Sequence, residues 1–509
     1  MTVARARSVT LTGIDGQVVE VEVDVSPGLP RTVLVGLPDA AVNEARDRVR
    51  AAVVNSGLSW PDARITVSLS PGWVRKRGSG LDLAVACAVL AATAQLPPES
   101  VTPFVLLGEL GLDGAVRPVR GVLPMVLAVL ARGHDQVVVA SGNATEAALV
   151  PGVRVTSVGR LTELVAVLRG EAALAVVPPT VVDAPGRSGP DLTDVIGQHE
   201  ARRALEIAAA GGHHLLMQGA PGAGKTLLAQ RLPGLLPPLT DSQRLEVTAV
   251  HSVAGALPLD RPLVTEPPFQ APHHTASGPA LVGGGSGVPR PGAVSLAHRG
   301  VLFLDEAPEF SARVLQTLRQ PLESGEVVLA RAEAVVRYPA AFQLVLAANP
   351  CPCGRSVGRG LDCSCTPLQK MRYASRLSGP LLDRIDLRVT VQPLTREQLV
   401  DGGAGEPTHA VLERVLAARD RAGRRLAETP WSTNAAVPGR ELRQQFRVDP
   451  GALSEVFDQV GRGSLSARGV DRVLRIAWTL ADLTEADRPG LAHVGAALRL
   501  RQGEAAWAA

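Results

Sequence analysis

The sequence predicts an α/β protein of several units, and three observations carry that prediction. A glycine-rich loop at Gly219–Thr226 lies between a strand-like and a helix-like run. Two further apolar runs end in polar residues: 301–304 before Asp305-Glu306, and 342–348 before Asn349. Short β-like runs alternate with helical periodicity through residues 1–175.

The 509 residues suit two to four domains at roughly 100–200 residues each. Hydrophobic residues make up 46% and charged residues 20%, which excludes a disordered chain and allows sizeable cores. No apolar run of about 18 residues is free of charges and breakers. Met1 to Gln17 lacks the apolar stretch of a secretory signal. A cytoplasmic protein with no membrane partner is expected. The net charge of +3 permits nucleic-acid binding without demanding it.

The first unit, 1–175, has β-like runs at Val18–Val25 and Arg64–Leu69 and helical patterns at Asp39–Ser56 and Leu81–Ala94. Cys87, in the apolar run AVACAVLAA, reads as a buried core residue. The Pro/Gly-rich stretch 176–190 reads as a linker. The second unit, 191–395, carries most of the motifs. A polar, Gly-rich gap falls at Asp401–Thr408. The last unit, 396–509, is helical in pattern over Thr408–Glu428 and Val470–Asp482.

Gly219-Ala-Pro-Gly-Ala-Gly-Lys-Thr226 matches G-x-x-x-x-G-K-[ST]. HLLMQ (214–218) can form the strand before it and LLAQRL (227–232) the helix after it. Gly219, Gly222 and Gly224, with Pro221 in the turn, let backbone N–H groups curl around phosphates. The helix N-terminus adds favourable partial charge. Lys225 is expected at the β/γ-phosphates and Thr226 on Mg²⁺. Lys225 is also one of only three lysines in a chain rich in arginine. Asp305 is expected to hold Mg²⁺ and Glu306 to activate water. Asn349 is placed to position that water. Arg384, in GPLLDRIDL (379–387), could reach the γ-phosphate of a neighbouring subunit. ATP and Mg²⁺ are the implied substrate and cofactor.

Cys351, Cys353, Cys363 and Cys365 form C-x-C…C-x-C with nine residues between the pairs. Four thiolates can close a tetrahedral Zn²⁺ shell, which is a structural site. Reduced free thiols and redox chemistry are the other readings. From 351 to 390, Arg355, Arg359, Lys370, Arg372, Arg376, Arg384 and Arg388 stand against three acidic residues. A zinc-braced basic loop could touch a phosphate backbone; a solvated loop at a subunit interface is the alternative. Aromatic residues are only 3%, which disfavours a base-stacking platform. His273 and His274, as neighbours on a strand, would point to opposite faces. They are expected to serve as loop structure or DNA contact, not as a metal site.

These motifs, in this order, look like an AAA+ ATPase core. PFQAPHHTASGPALVGGG (268–285), PGAVSLAHRGVLFLDEAPEF (291–310), LRQPLESGEV (318–327), AANPCPCG (347–354) and SGPLLDRIDL (378–387) resemble the Mg-chelatase-like AAA+ proteins, and within these the YifB/ComM type. The resemblance covers nearly the whole chain. It implies a Lon-protease-like N-terminal α/β domain, an AAA+ P-loop α/β core with the four-cysteine insertion, and a C-terminal helical lid. It also implies a homo-oligomeric ring, hexameric in the family's manner, with DNA as partner. In the ComM branch it implies a branch-migration helicase acting in natural transformation. Carried over to this sequence, it makes Asn349 sensor 1 and Arg384 the finger acting on a neighbour. Arg468 best matches sensor 2, with Arg472 its rival, and Trp478 stands where relatives often have Arg. Ile196 and Gly197, in DVIGQ (194–198), match the adenine-contacting stretch. ATP would then lie between core and lid of one subunit.

Residues 21–53 and 65–92 resemble the same family's N-terminal domain, which is similar in fold to the Lon protease domain. KRGSGLD (76–82) runs parallel to Lon's serine loop, but Gly80 falls where the serine belongs and Ser79 is one residue off. Leu123 falls where the lysine belongs. Arg cannot replace that base, because it stays protonated. A non-proteolytic binding or assembly module is expected, rather than a Ser79–Lys76 dyad. The rival functions are the ATPase subunit of a metal-chelatase-like complex, a protein-remodelling ATPase, and a nucleotide-gated scaffold.

Overall fold

A computed structural model describes residues 3–179, 189–258, 261–285, 289–331, 334–356, 362–377, 379–394, 398 and 405–503. Most of the predicted linker (180–188), Arg359, the 395/396 boundary and the start of the Gly-rich gap (401–404) lie outside the described residues.

The N-terminal unit is built on an eight-stranded mixed sheet. Its order is Val176–Val177, Arg154–Val158, Gln136–Ala140, Val105–Leu107, Ala4–Thr12, Asp15–Ser26, Arg64–Ser70 and Arg31–Val35. The period-2 pattern sets its faces. In Asp15–Ser26, Val19, Val21 and Val23 are fully buried while Glu20 and Glu22 face the other way. The helix Asp82–Ala92 is buried nearly all round, as its unbroken apolar run requires, and it includes Cys87. Asp39 caps the helix Ala40–Asn55 by accepting from the Val42 N–H. Val176–Val177 pairs with the edge of this sheet, so the first residues of the proline-rich stretch are strand.

The second sheet has five strands, all parallel: Phe269–Gln270, Val301–Leu304, Gln343–Ala348, Leu215–Gly219 and Leu387–Val391. Such strands are covered on both faces and therefore read as continuous apolar runs. On one face, Leu215, Met217, Val301 and Val345 share an apolar cluster with the helices His199–Gly211, Thr408–Leu426, Ala467–Leu483 and Leu491–Gln502. On the other, Leu216, Leu302, Leu344 and Leu346 pack on Leu281, Phe310, Leu315 and Ile385. The C-terminal helices thus share one core with the sheet.

Parallel strands put all their C-terminal ends on one edge. That edge carries Gly219, Asp305 and Asn349, while His214 and Asp386 precede the strands at the opposite edge. The helix after the glycine loop spans Lys225–Ala229, shorter than the run LLAQRL suggests. Pro233 starts a separate turn, Leu232–Leu235, and its missing N–H cannot continue the first helix. Arg231, between them, is buried and bonds Asp191 O, Leu227 O and the Asp194 carboxylate.

The helix Asp241–Ala254 joins the two units. Its Ala249 lies in one apolar cluster with Val122, Leu123 and Val126 of the N-terminal unit. Its Ser252 hydroxyl donates to the Glu146 carboxylate. Among the described residues no helix is long and apolar enough to cross a membrane.

Candidate nucleotide-binding site

The glycine loop is an open cradle. Gly222 and Gly224 adopt φ of +77° and +95°, and a Cβ on either would have no atom within 4 Å. The left-handed backbone turns the loop so that a polyphosphate can enter. Gly219 is constrained differently: a Cβ there would lie 2.3 Å from the Val391 carbonyl oxygen of the next strand.

Lys225 Nζ donates to the carbonyls of Gly219 and Ala220, both at 2.8 Å, and to Asn349 Oδ1 at 3.1 Å. Burial pulls its ammonium below the ordinary lysine range, and the nearby Asp305 and Glu306 oppose that. Thr226 Oγ1 donates to Asp305 Oδ2 at 2.7 Å. Asp305 Oδ1 accepts from the Glu306 N–H at 2.9 Å. A hydroxyl and a carboxylate oxygen are thus side by side, a hard-oxygen pair suited to Mg²⁺ beside a phosphate cradle.

Ile196 and Gly197 lie against this loop through their neighbour. Gln198 Nε2 donates to Ala223 O at 3.2 Å and to Gln392 O at 2.6 Å, tying the DVIGQ segment to the cradle. Beside it opens a cavity of about 560 Å³ lined by Gly197, His199, Arg202 and Arg414. Nothing in the sequence pattern singles out Gln198.

Glu306 sits at φ +49°, and its Oε2 is 3.3 Å from His274 Nδ1. The histidine pair departs from expectation. Residues 271–277 form a loop and turn, not a strand, so the two rings do not point apart. They lie 4.1 Å centroid to centroid, which leaves His274 free to face the acid. Sequence spacing gave no signal for that contact, which joins residues 32 apart.

The arginines lie elsewhere. Arg384 is 8% exposed; it pairs with Glu323 and donates to Pro380 O at 2.5 Å. Arg472 bonds the fully buried Asp386 at 2.8 Å. Arg468 is exposed, 4.0 Å from Asp383. All three gather at the N-terminal edge of the sheet, a strand length of about 13 Å from the glycine loop at ~3.3 Å per residue. Arg468 thus stands beside Asp383, before the strand Leu387–Val391 rather than after it. The parallel pairing is the cause: Arg384 precedes Leu387–Val391, whereas the glycine loop follows the neighbouring parallel strand Leu215–Gly219. Trp478 is buried, donates to Phe446 O at 2.9 Å and lies under the Arg425 guanidinium.

The same geometry divides the basic stretch. Arg384 and Arg388 belong to the far edge, whereas Arg355, Lys370, Arg372 and Arg376 stay with the cysteine loop. Of these, Arg376 pairs with Glu309 at 2.8 Å, Lys370 bonds Ser356, and Arg355 and Arg372 are exposed. The predicted single basic loop is thus smaller than its sequence span.

The four cysteines converge, with all Sγ atoms within 4.8 Å of one another. Cys351 Sγ is 3.4 Å from Cys353 Sγ and 3.7 Å from Cys363 Sγ, and Cys353–Cys363 is also 3.7 Å. A tetrahedron with Zn–S bonds of about 2.3 Å has S–S edges of about 3.8 Å, so the donor set fits zinc. Burial pushes the Cys351 thiol up to about 11, while the Arg355 backbone N–H pulls Cys353 down to about 6. A bound divalent cation would hold all four as thiolates.

In the N-terminal unit, the Ser79 hydroxyl donates to Glu109 and the buried Lys76 ammonium to Pro71 O. The two groups are satisfied by different partners.

A phosphate cradle, a Thr–Asp pair, a glutamate and an asparagine on the C-terminal edge of a parallel sheet are the parts of a P-loop ATPase. Residues 191–399 match the family model described as magnesium chelatase, subunit ChlI. Residues 21–143 match subunit ChlI of Mg-chelatase, and 405–501 match its C-terminal model. The chain is 54% identical over 502 residues to an uncharacterized protein of Mycobacterium tuberculosis, covering 99% of each. It is 42% identical over 513 residues to competence protein ComM of Haemophilus influenzae, covering 98% of each. It is 42% identical over 492 residues to the uncharacterized protein YifB of Escherichia coli, covering 96% of this chain and 95% of that one. The chain belongs to the Mg-chelatase-like AAA+ ATPase family, of the YifB/ComM type.

Proposed function

We propose that this protein is an ATP-hydrolysing ring motor on DNA, a branch-migration helicase of the ComM type working in the cytoplasm. The observation that supports the ATPase step is the assembled set of Lys225, Thr226, Asp305, Glu306 and Asn349 on one sheet edge. Lys225 exchanges its loop carbonyls for phosphate oxygens when ATP binds. Thr226 and Asp305 would hold Mg²⁺, which would supply charge neutralisation at the phosphates. Glu306 accepts the proton of the attacking water, and Asn349 positions that water.

Arg384, Arg468 and Arg472 act on the nucleotide of the next subunit, because their own lies across the sheet. That arrangement calls for a closed ring, and six copies are the family's number. Movement on DNA is supported by the likeness to ComM and by the exposed Arg355 and Arg372. Contact is then with phosphates and independent of sequence. Cys351, Cys353, Cys363 and Cys365 would hold Zn²⁺ as a structural ion. The N-terminal unit is a Lon-like, non-proteolytic assembly module, and the separate partners of Ser79 and Lys76 support that. The C-terminal helices are the lid.

A labelled synthetic four-way junction tests the proposal. The wild type should convert it to duplex products with ATP and Mg²⁺, and Glu306→Gln should bind it without conversion. ATP turnover by the wild type with no junction conversion would overturn the DNA assignment.

A further inference from the structure

The four-cysteine loop does more than hang beside the nucleotide site; it is joined to that site at two points. Cys351 follows Asn349 by two residues, with Pro350 between, so the first zinc ligand and the Lys225 contact move together. Gly354 closes a turn onto Cys351 O at 2.9 Å, at φ +74°. A Cβ on Gly354 would lie 2.4 Å from Pro221 Cγ, so the cysteine turn is pressed directly on the glycine loop. The second ligand pair leads into the helix Pro367–Ser375. That helix carries the buried Tyr373 and also Lys370, which donates to Ser356 at 2.9 Å. The four Sγ atoms converge within 4.8 Å of one another, a spacing that a single metal ion can bridge.

We propose that the four-cysteine site is a metal-set clamp on the phosphate cradle. Zinc locks Cys351–Gly354 against Pro221 and fixes Asn349 against Lys225, and nucleotide affinity depends on that lock. The inference rests on zinc occupancy and on nucleotide binding by the glycine loop. It adds that the two sites are coupled. It also assigns Gly354 and Pro221 as the contact that transmits the coupling; both are positioning residues, since neither need touch the reacting atoms.

The experiment uses the full chain and reads zinc by atomic emission and nucleotide affinity by titration with a fluorescent ATP analogue in Mg²⁺. The expected result is about one zinc per chain. Removing it with a thiol-directed mercurial and a chelator should weaken nucleotide binding roughly tenfold or more, and adding Zn²⁺ after reductant should restore it. Gly354→Ala should keep its zinc and still bind nucleotide more weakly, which separates the coupling from loss of folding. Unchanged affinity in both the zinc-free protein and Gly354→Ala would overturn the coupling and leave zinc in place. A reduced wild type that binds nucleotide but no zinc would overturn the metal itself. A zinc-loaded wild type that binds no nucleotide would overturn the glycine-loop assignment.

Discussion

Lys225 and Glu306 are 81 residues apart and make different predictions. Lys225→Ala should abolish tight nucleotide binding. Glu306→Gln should bind nucleotide and lose turnover by at least roughly a hundredfold, the scale of lost general-base catalysis. Comparing Kd with kcat for the two variants checks this. His274 adds a third case, because its ring holds the Glu306 carboxylate at 3.3 Å. His274→Ala should lower kcat roughly tenfold while leaving nucleotide Kd within about twofold, as expected for misplacement of a reacting group. An unchanged kcat would remove His274 from the site. Residues such as Lys225, Thr226 and Asp305 were legible because each sits in a local motif, the glycine loop or an apolar run that ends in Asp-Glu. His274, Gln198 and Glu323 were not, because their partners are brought near only by the fold.

At the scale of elements, the parallel strands were legible as apolar runs with polar ends. What the runs could not show was which edge each flanking residue occupies. Arg384 and Asn349 both flank strands, yet one lies before its strand and the other after, so the sheet holds them apart. The packing of the P-loop strand yields a stability test. Gly219→Ala would press a Cβ on the Val391 carbonyl, an overpacking of about 1–3 kcal/mol, and should lower Tm. The start of the same strand yields a pH test. His214 Nδ1 accepts from the Leu344 N–H at 3.0 Å, which needs a neutral ring, and burial lowers its pKa to about 4. A lowered folded pKa gives stability that is full above the unfolded value near 6.5 and is lost as pH falls toward 4. The loss is on the order of 3 kcal/mol. Thermal denaturation of the wild type from pH 7 to 4 should show a steeper fall in Tm than that of His214→Gln. Parallel curves would contradict a neutral His214.

At the scale of the molecule, the phosphate loop and the arginine cluster lie on opposite edges of one sheet. On the proposed ring reading, no single chain completes the site. Lys225→Ala and Arg384→Ala should each be inactive, yet mixing them should restore part of the turnover. In a mixed ring, the intact loop of one variant meets the intact arginine of the other. Restoration absent at every ratio, with ring formation shown by light scattering, would argue for a site within one chain. The helix Asp241–Ala254 packs against the N-terminal unit and so ties it to the rest of the chain. The most direct measurement on the whole molecule is steady-state ATP turnover without DNA and with single strands, duplex and a four-way junction, with Glu306→Gln as blank. A DNA motor predicts stimulation that is greatest with the junction. Turnover indifferent to every DNA would contradict it and turn the search to protein or tetrapyrrole partners.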